Sequence, residues 1–124
     1  MHEFSRTSQI VEAVLGEATK HNASKVIEVE LEIGDLTFLS LEQVRFLYKV
    51  LTENTIAKDS KLSIKQVHGR GKCSSCGYDG PLKYLDDPQF HITFPTFNCP
   101  RCSAPLQVSA GRECVLKRIR MEKP

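Results

Sequence analysis

The chain has 124 residues, 40% of them hydrophobic and 26% charged, with a formal net charge of +2. That length suits one domain, or one small domain carrying a metal module. No apolar run approaches the ~20 residues of a membrane span, no apolar export leader follows Met1, and the charge is too small to imply a polyanionic partner.

The first periodic stretch covers residues 5–21, where Ile10, Val11, Val14, Leu15 and Ala18 recur at three- and four-residue steps and predict an amphipathic helix. Asn22-Ala23-Ser24 ends it. Residues 25–33 then alternate, Ile27, Val29, Leu31 and Ile33 against Glu28, Glu30 and Glu32, as a half-buried strand with an acidic outer face does. After the Gly34-Asp35 turn, Ser40-Leu41-Glu42-Gln43 has the form of a capping box. It opens a second helix that buries Leu41, Val44, Leu47, Tyr48 and Leu51 and ends near Asn54. Residues 61–67 read as a second strand on Leu62 and Ile64, Gly69-Arg70-Gly71 as a hinge, and residues 113–121 as a third strand with Val115, Ile119 and Met121 inward and Lys117 breaking the pattern.

Four cysteines stand between the second and third strands: Cys73 and Cys76, then Cys99 and Cys102, with 22 residues between the pairs. Two residues between thiols let a tight turn aim both sulfurs at one point, and two such turns supply the four thiolates of a tetrahedral Zn²⁺ site. Gly77 permits the reversal over the first pair and Pro100 stiffens the second. Disulfides fit less well, because the cysteine count is five and no leader is present; a redox role for one pair is the other alternative. The fifth, Cys114, reads as a buried structural cysteine.

The expected architecture is α+β, two helices packed on a three-stranded mixed sheet with an inserted zinc-ribbon-like module. Residues 1–70 plus 109–124 would form a discontinuous α/β domain and residues 71–108 the zinc module, which is too short to fold without its metal. Within that module Lys72, Lys83 and Arg101 cancel Asp79, Asp86 and Asp87, which opposes phosphate binding. A zinc-ribbon module for nucleic acid or transcription machinery is therefore the alternative reading, not the leading one. A closed thiolate site offers no open position for catalysis, so an enzyme is not expected.

A second metal site is legible at Met1-His2-Glu3. The terminal amine, the amide nitrogen of His2, its imidazole Nδ1 and the amide nitrogen of Glu3 can close fused chelate rings in one plane, the preference of Ni²⁺ and Cu²⁺. The competing reading is an exposed histidine on a frayed terminus. Of the other histidines, His91 reads as packing or solvent unless its module folds back on the terminus, and His68 and His21 occupy ordinary strand-end and helix-end positions.

Met1-His2-Glu3, the stretch Glu30-Leu31-Glu32-Ile33-Gly34-Asp35-Leu36, the cysteine quartet and Gly111-Arg112-Glu113 together resemble the HypA/HybF family of hydrogenase nickel-incorporation proteins over essentially the whole chain. Cys114 and the basic Arg118-Ile119-Arg120 ending depart from it without touching a ligand. Thiols arranged for metal without an export signal lead us to expect a reducing cytoplasm, and a monomer or weak dimer is expected. The resemblance implies a nickel metallochaperone that delivers Ni²⁺ to the large subunit of [NiFe] hydrogenase in company with a HypB-type GTPase. It places transient nickel at Met1, His2 and Glu3, and structural zinc at Cys73, Cys76, Cys99 and Cys102.

Overall fold

In a computed structural model, which describes residues 2–89 and 92–124, the chain divides into two compact units. The first comprises Met1–Ile33, Phe38–Gln66 and Cys114–Pro124; the second comprises Gly34–Thr37 and Val67–Glu113.

The first unit contains helices α1 (His2–Lys20) and α2 (Leu41–Leu51) and strands β1 (Lys25–Gly34), β2 (Lys61–Val67) and β8 (Cys114–Glu122). The strands form one sheet in the order β2-β1-β8, with β1 and β8 antiparallel. Since β1 reaches its neighbour β2 through α2, the crossover that parallel neighbours need, the sheet is mixed as expected. Its core joins Val11, Val14 and Ala18 of α1, Val26, Val29, Leu31 and Ile33 of β1, Val44 and Tyr48 of α2, and Ala57. Each valine, leucine or isoleucine among them contributes about 1.5–3 kcal/mol by leaving water. On the other face Glu28, Glu30 and Glu32 meet Arg120, Arg118 and Lys117 at 3.5, 3.8 and 3.7 Å. As half-exposed pairs these contribute at most about 1 kcal/mol each.

Both helix ends are built locally. At the end of α1, Asn22 takes the left-handed conformation (φ 55°), and the Asn22 and Ala23 amides donate to the Thr19 and Ala18 carbonyls, closing a Schellman motif. Ser40 caps α2, its Oγ accepting the Gln43 amide at 3.3 Å. The helix stops at Leu51 instead of near Asn54, and its C-cap Thr52 directs both its amide and its hydroxyl, the latter at 2.8 Å, to the Tyr48 carbonyl.

Further expectations are corrected. Helix α1 begins at His2, not Ser5; Glu3 in its first turn stabilises a start that apolar periodicity does not mark. In β1 the inward residue is Val26 and not Ile27, because the pairing with β8 shifts between Val26 and Glu28. In β8 the ladder passes from Leu116 to Arg118, which leaves Lys117 as the extra residue of a bulge. Cys114 and Leu116 therefore pack on the core before the bulge and Ile119 after it, while Val115 stays 43% exposed.

In the second unit, β3 (Arg70–Lys72), β4 (Asp79–Pro81) and β7 (Gln107–Ala110) form a sheet in the order β4-β3-β7, and β5 (Tyr84–Asp87) pairs with β6 (Ile92–Pro95) as a hairpin. Part of the expected hinge is thus the central strand β3, paired on both sides. The short 3₁₀ turn Asp35–Thr37 belongs to this unit. The Gly34 amide donates to the Glu113 carbonyl at 2.7 Å and that of Leu36 to the Gly111 carbonyl at 2.8 Å. Asp35 Oδ2 accepts from Tyr84 at 3.2 Å and lies 3.0 Å from His68 Nδ1.

Candidate metal centre

Each cysteine pair lies on a turn with the same hydrogen bonds. The Cys73 amide donates to the Tyr78 carbonyl at 2.8 Å and the Gly77 amide to the Cys73 carbonyl at 3.0 Å. In the second turn the Cys99 amide donates to Ala104 at 2.7 Å and the Ser103 amide to Cys99 at 2.9 Å. The fourth residue after each leading cysteine has positive φ, 78° at Gly77 and 64° at Ser103. The β3–β4 pairing carries the first turn and an Asn98–Pro105 bridge closes the second. Arg101 of the second turn lies over the Tyr78 ring of the first, 5.6 Å from its centroid.

The four sulfurs all lie within 4.8 Å of one another. Cys73 and Cys102 approach to 3.5 Å, as do Cys76 and Cys99. A tetrahedron with metal–sulfur bonds of about 2.3 Å has edges of about 3.8 Å, so the donor set fits Zn²⁺. These separations far exceed the ~2.05 Å of a sulfur–sulfur bond. The leading cysteine of each pair is buried and the second exposed.

The thiols are also tuned as pairs. The Cys76 amide, above all, draws Cys73 down to about 6 against the cost of burial. At Cys99 burial acts upward, but the Cys102 and Arg101 amides prevail and lower it; the Arg101 amide lies 3.4 Å from its sulfur. At Cys76 the Tyr78 amide pulls downward and at Cys102 the Ala104 amide does, yet crowding by the neighbouring sulfurs together with burial raises both, Cys102 to about 12. Two thiols whose ionisation is favoured beside two that resist it form a soft sulfur donor set for a divalent cation.

The structure also locates the other expected site residues. His2 is exposed as the first residue of α1, and the partly buried Glu3 follows it. Glu3 Oε2 accepts the backbone N–H of Ser40 at 2.9 Å. Met1 and His91 lie outside the described residues. Sequence reasoning did not single out Tyr78, Arg101 or Ser103 around the thiols, nor the Ser40 amide beside Glu3; for Ser40 the capping box was the available signal.

Fold and site define a small two-unit metal-binding protein, a two-helix α/β unit with a cysteine-knuckle unit. The profile of HypA, described as hydrogenase/urease nickel incorporation metallochaperone, matches residues 1–121, and the chain belongs to this family. The hydrogenase maturation factor HypA of Methanothermobacter thermautotrophicus is 40% identical over 124 residues, covering 99% of this chain and 98% of that one. The HypA of Methanobrevibacter smithii is 38% identical over 100% of this chain and 98% of its own. The solution structure of the Ni metallochaperone HypA from Helicobacter pylori superposes with a TM-score of 0.67 at 21% identity over the full length of both, a likeness of fold. No helix here is long and apolar enough to cross a membrane among the described residues.

Proposed function

We propose that this chain takes up Ni²⁺ at Met1, His2 and Glu3 and hands it to the large subunit of [NiFe] hydrogenase, in company with a HypB-type GTPase. Its four clustered cysteines hold zinc as a structural ion. The observation that carries the nickel reading is the start of α1 at His2. Amides in the first turn of a helix have no intrahelical acceptor. The amide nitrogens of His2 and Glu3 can therefore lose their protons to a metal without breaking a helical hydrogen bond. Together with the terminal amine and the exposed imidazole they offer a nitrogen-rich donor set, the kind of field that Ni²⁺ prefers. Because amine and imidazole must deprotonate to bind, acidification favours release.

Zinc at Cys73, Cys76, Cys99 and Cys102 would supply folding free energy to a unit with a small core of its own. The family description and the relatives' names support hydrogenase maturation as the process served.

Equilibrium dialysis of untagged protein tests the nickel site. His2→Ala, or one residue added before Met1, should abolish nickel binding and leave zinc content and helicity as they are. Unchanged nickel stoichiometry in both would overturn the reading.

A further inference from the structure

The Glu3 carboxylate reaches from the first turn of α1 to the start of α2. Its Oε2 accepts the Ser40 N–H at 2.9 Å, and Ser40 is the residue that caps α2. One carboxylate therefore lies at the beginning of α1 and of α2 together, where two helix macrodipoles each present about half a positive charge. Those charges oppose a cation at the terminus, and a fixed carboxylate offsets them. The same bond removes freedom from the first turn of α1, whose termini ordinarily fray. Ser40 is held from both sides, its amide by Glu3 and its hydroxyl on the Gln43 amide at 3.3 Å, and its backbone is extended at φ −76°.

We infer that the Glu3 side chain is a positioning group: through the Ser40 amide it fastens the first turn of α1 to the cap of α2, so that the chelating nitrogens of His2 and Glu3 meet the ion already arranged. This rests on the nickel reading and adds a role to it, since the carboxylate acts through Ser40 and the ligand from Glu3 is its amide nitrogen. A site arranged in only a fraction of molecules binds more weakly by that fraction, and loss of one charge-assisted hydrogen bond makes the expected effect about tenfold.

The backbone angle of Ser40 permits a direct test, because φ −76° is a value proline adopts. Ser40→Pro removes the N–H and the hydroxyl cap, whereas Ser40→Ala removes the cap alone. Nickel titrations of untagged, zinc-loaded protein, followed by the visible absorption of planar Ni²⁺ in a nitrogen field, should show S40P binding about tenfold more weakly than S40A. Glu3→Ala should fall by at least the same factor, and Glu3→Gln, whose amide oxygen still accepts the N–H but carries no charge, should recover part of the affinity together with the planar spectrum. Zinc content and far-UV circular dichroism report the fold, and the Glu3 pair decides the matter if S40P does not fold. Equal nickel affinity in E3A and E3Q, or in S40P and S40A when both fold, overturns the inference. If His2→Ala loses nickel in the same series the site itself stands; if His2→Ala binds normally, both readings fall.

Discussion

Gly34 and Gly111 pack backbone to backbone: a β-carbon on Gly34 would overlap the carbonyl of Gly111, whose oxygen accepts the Leu36 amide at 2.8 Å. The neighbour is main chain and cannot rotate aside. Gly34→Ala should therefore destabilise by at least ~2 kcal/mol through forced backbone displacement. Urea unfolding measures this, and a loss under ~0.5 kcal/mol, the range of ordinary surface changes, would contradict the packing.

The two cysteine turns carry different residues at their shared left-handed position. Gly77 and Ser103 both have left-handed φ, but only glycine adopts it without cost. A β-carbon at Gly77 would meet nothing within 4 Å, so Gly77→Ala isolates the conformational term and should cost about 1 kcal/mol. Ser103→Gly should gain a smaller amount, because relief of the left-handed strain is partly offset by the greater entropy of glycine in the unfolded chain. Competition with a zinc chelator reads both, with tighter zinc retention expected for S103G than for G77A.

Removing the metal should affect the units unequally. Among the described residues, the second unit has few buried apolar side chains apart from Leu82 and the thiols Cys73 and Cys99, whereas the first has a full core. Chelation, or Cys99→Ser, should open residues 67–113 to proteolysis while the helical signal of α1 and α2 persists. Loss of both together would show that the units fold as one.

Alkaline pH tests the first unit. Burial raises the Tyr48 phenol above its ordinary value, more than the hydrogen bond with Ser60 at 2.6 Å lowers it. A raised folded value means that the contribution is fully present below about pH 10, the unfolded value, and is lost as pH climbs through the folded one. Tyr48→Phe should cost about 1 kcal/mol near neutrality, for the lost bond, and should flatten the decline above pH 10. Melts followed by the helical signal across that range check the slope; an equally steep decline in the variant would exclude Tyr48 as its cause.

The elements were legible in the sequence wherever side-chain periodicity alone decided them. Both helices, the three strands of the first sheet and the sulfur quartet emerge from spacing. Residue phase was not legible where a bulge intervened. Ile27 and Val115 continue an alternation on paper, but an extra residue in one strand of a pair turns the next side chain over, so Val26 and Leu116 took the inward places. Lys117 was the visible trace of that shift. The start of α1 was hidden for a different reason: its first turn is marked by the charge of Glu3 and by the bond from the Ser40 amide, which leave no periodic mark. The left-handed Ser103 was concealed because its glycine counterpart, Gly77, occurs only in the first turn.

Between the two cysteine turns, the Lys83 carbonyl accepts both the amide and the hydroxyl of Thr96, at 2.7 and 2.9 Å. That pair of bonds is a clasp below the β5–β6 hairpin, and the sulfurs sit on the near side of it. The interval between Cys76 and Cys99 is in this sense adjustable: hairpin residues can be added or trimmed beyond the clasp while the four donors keep their places. The interval is thus a site where evolution can remodel an appendage without renegotiating the metal.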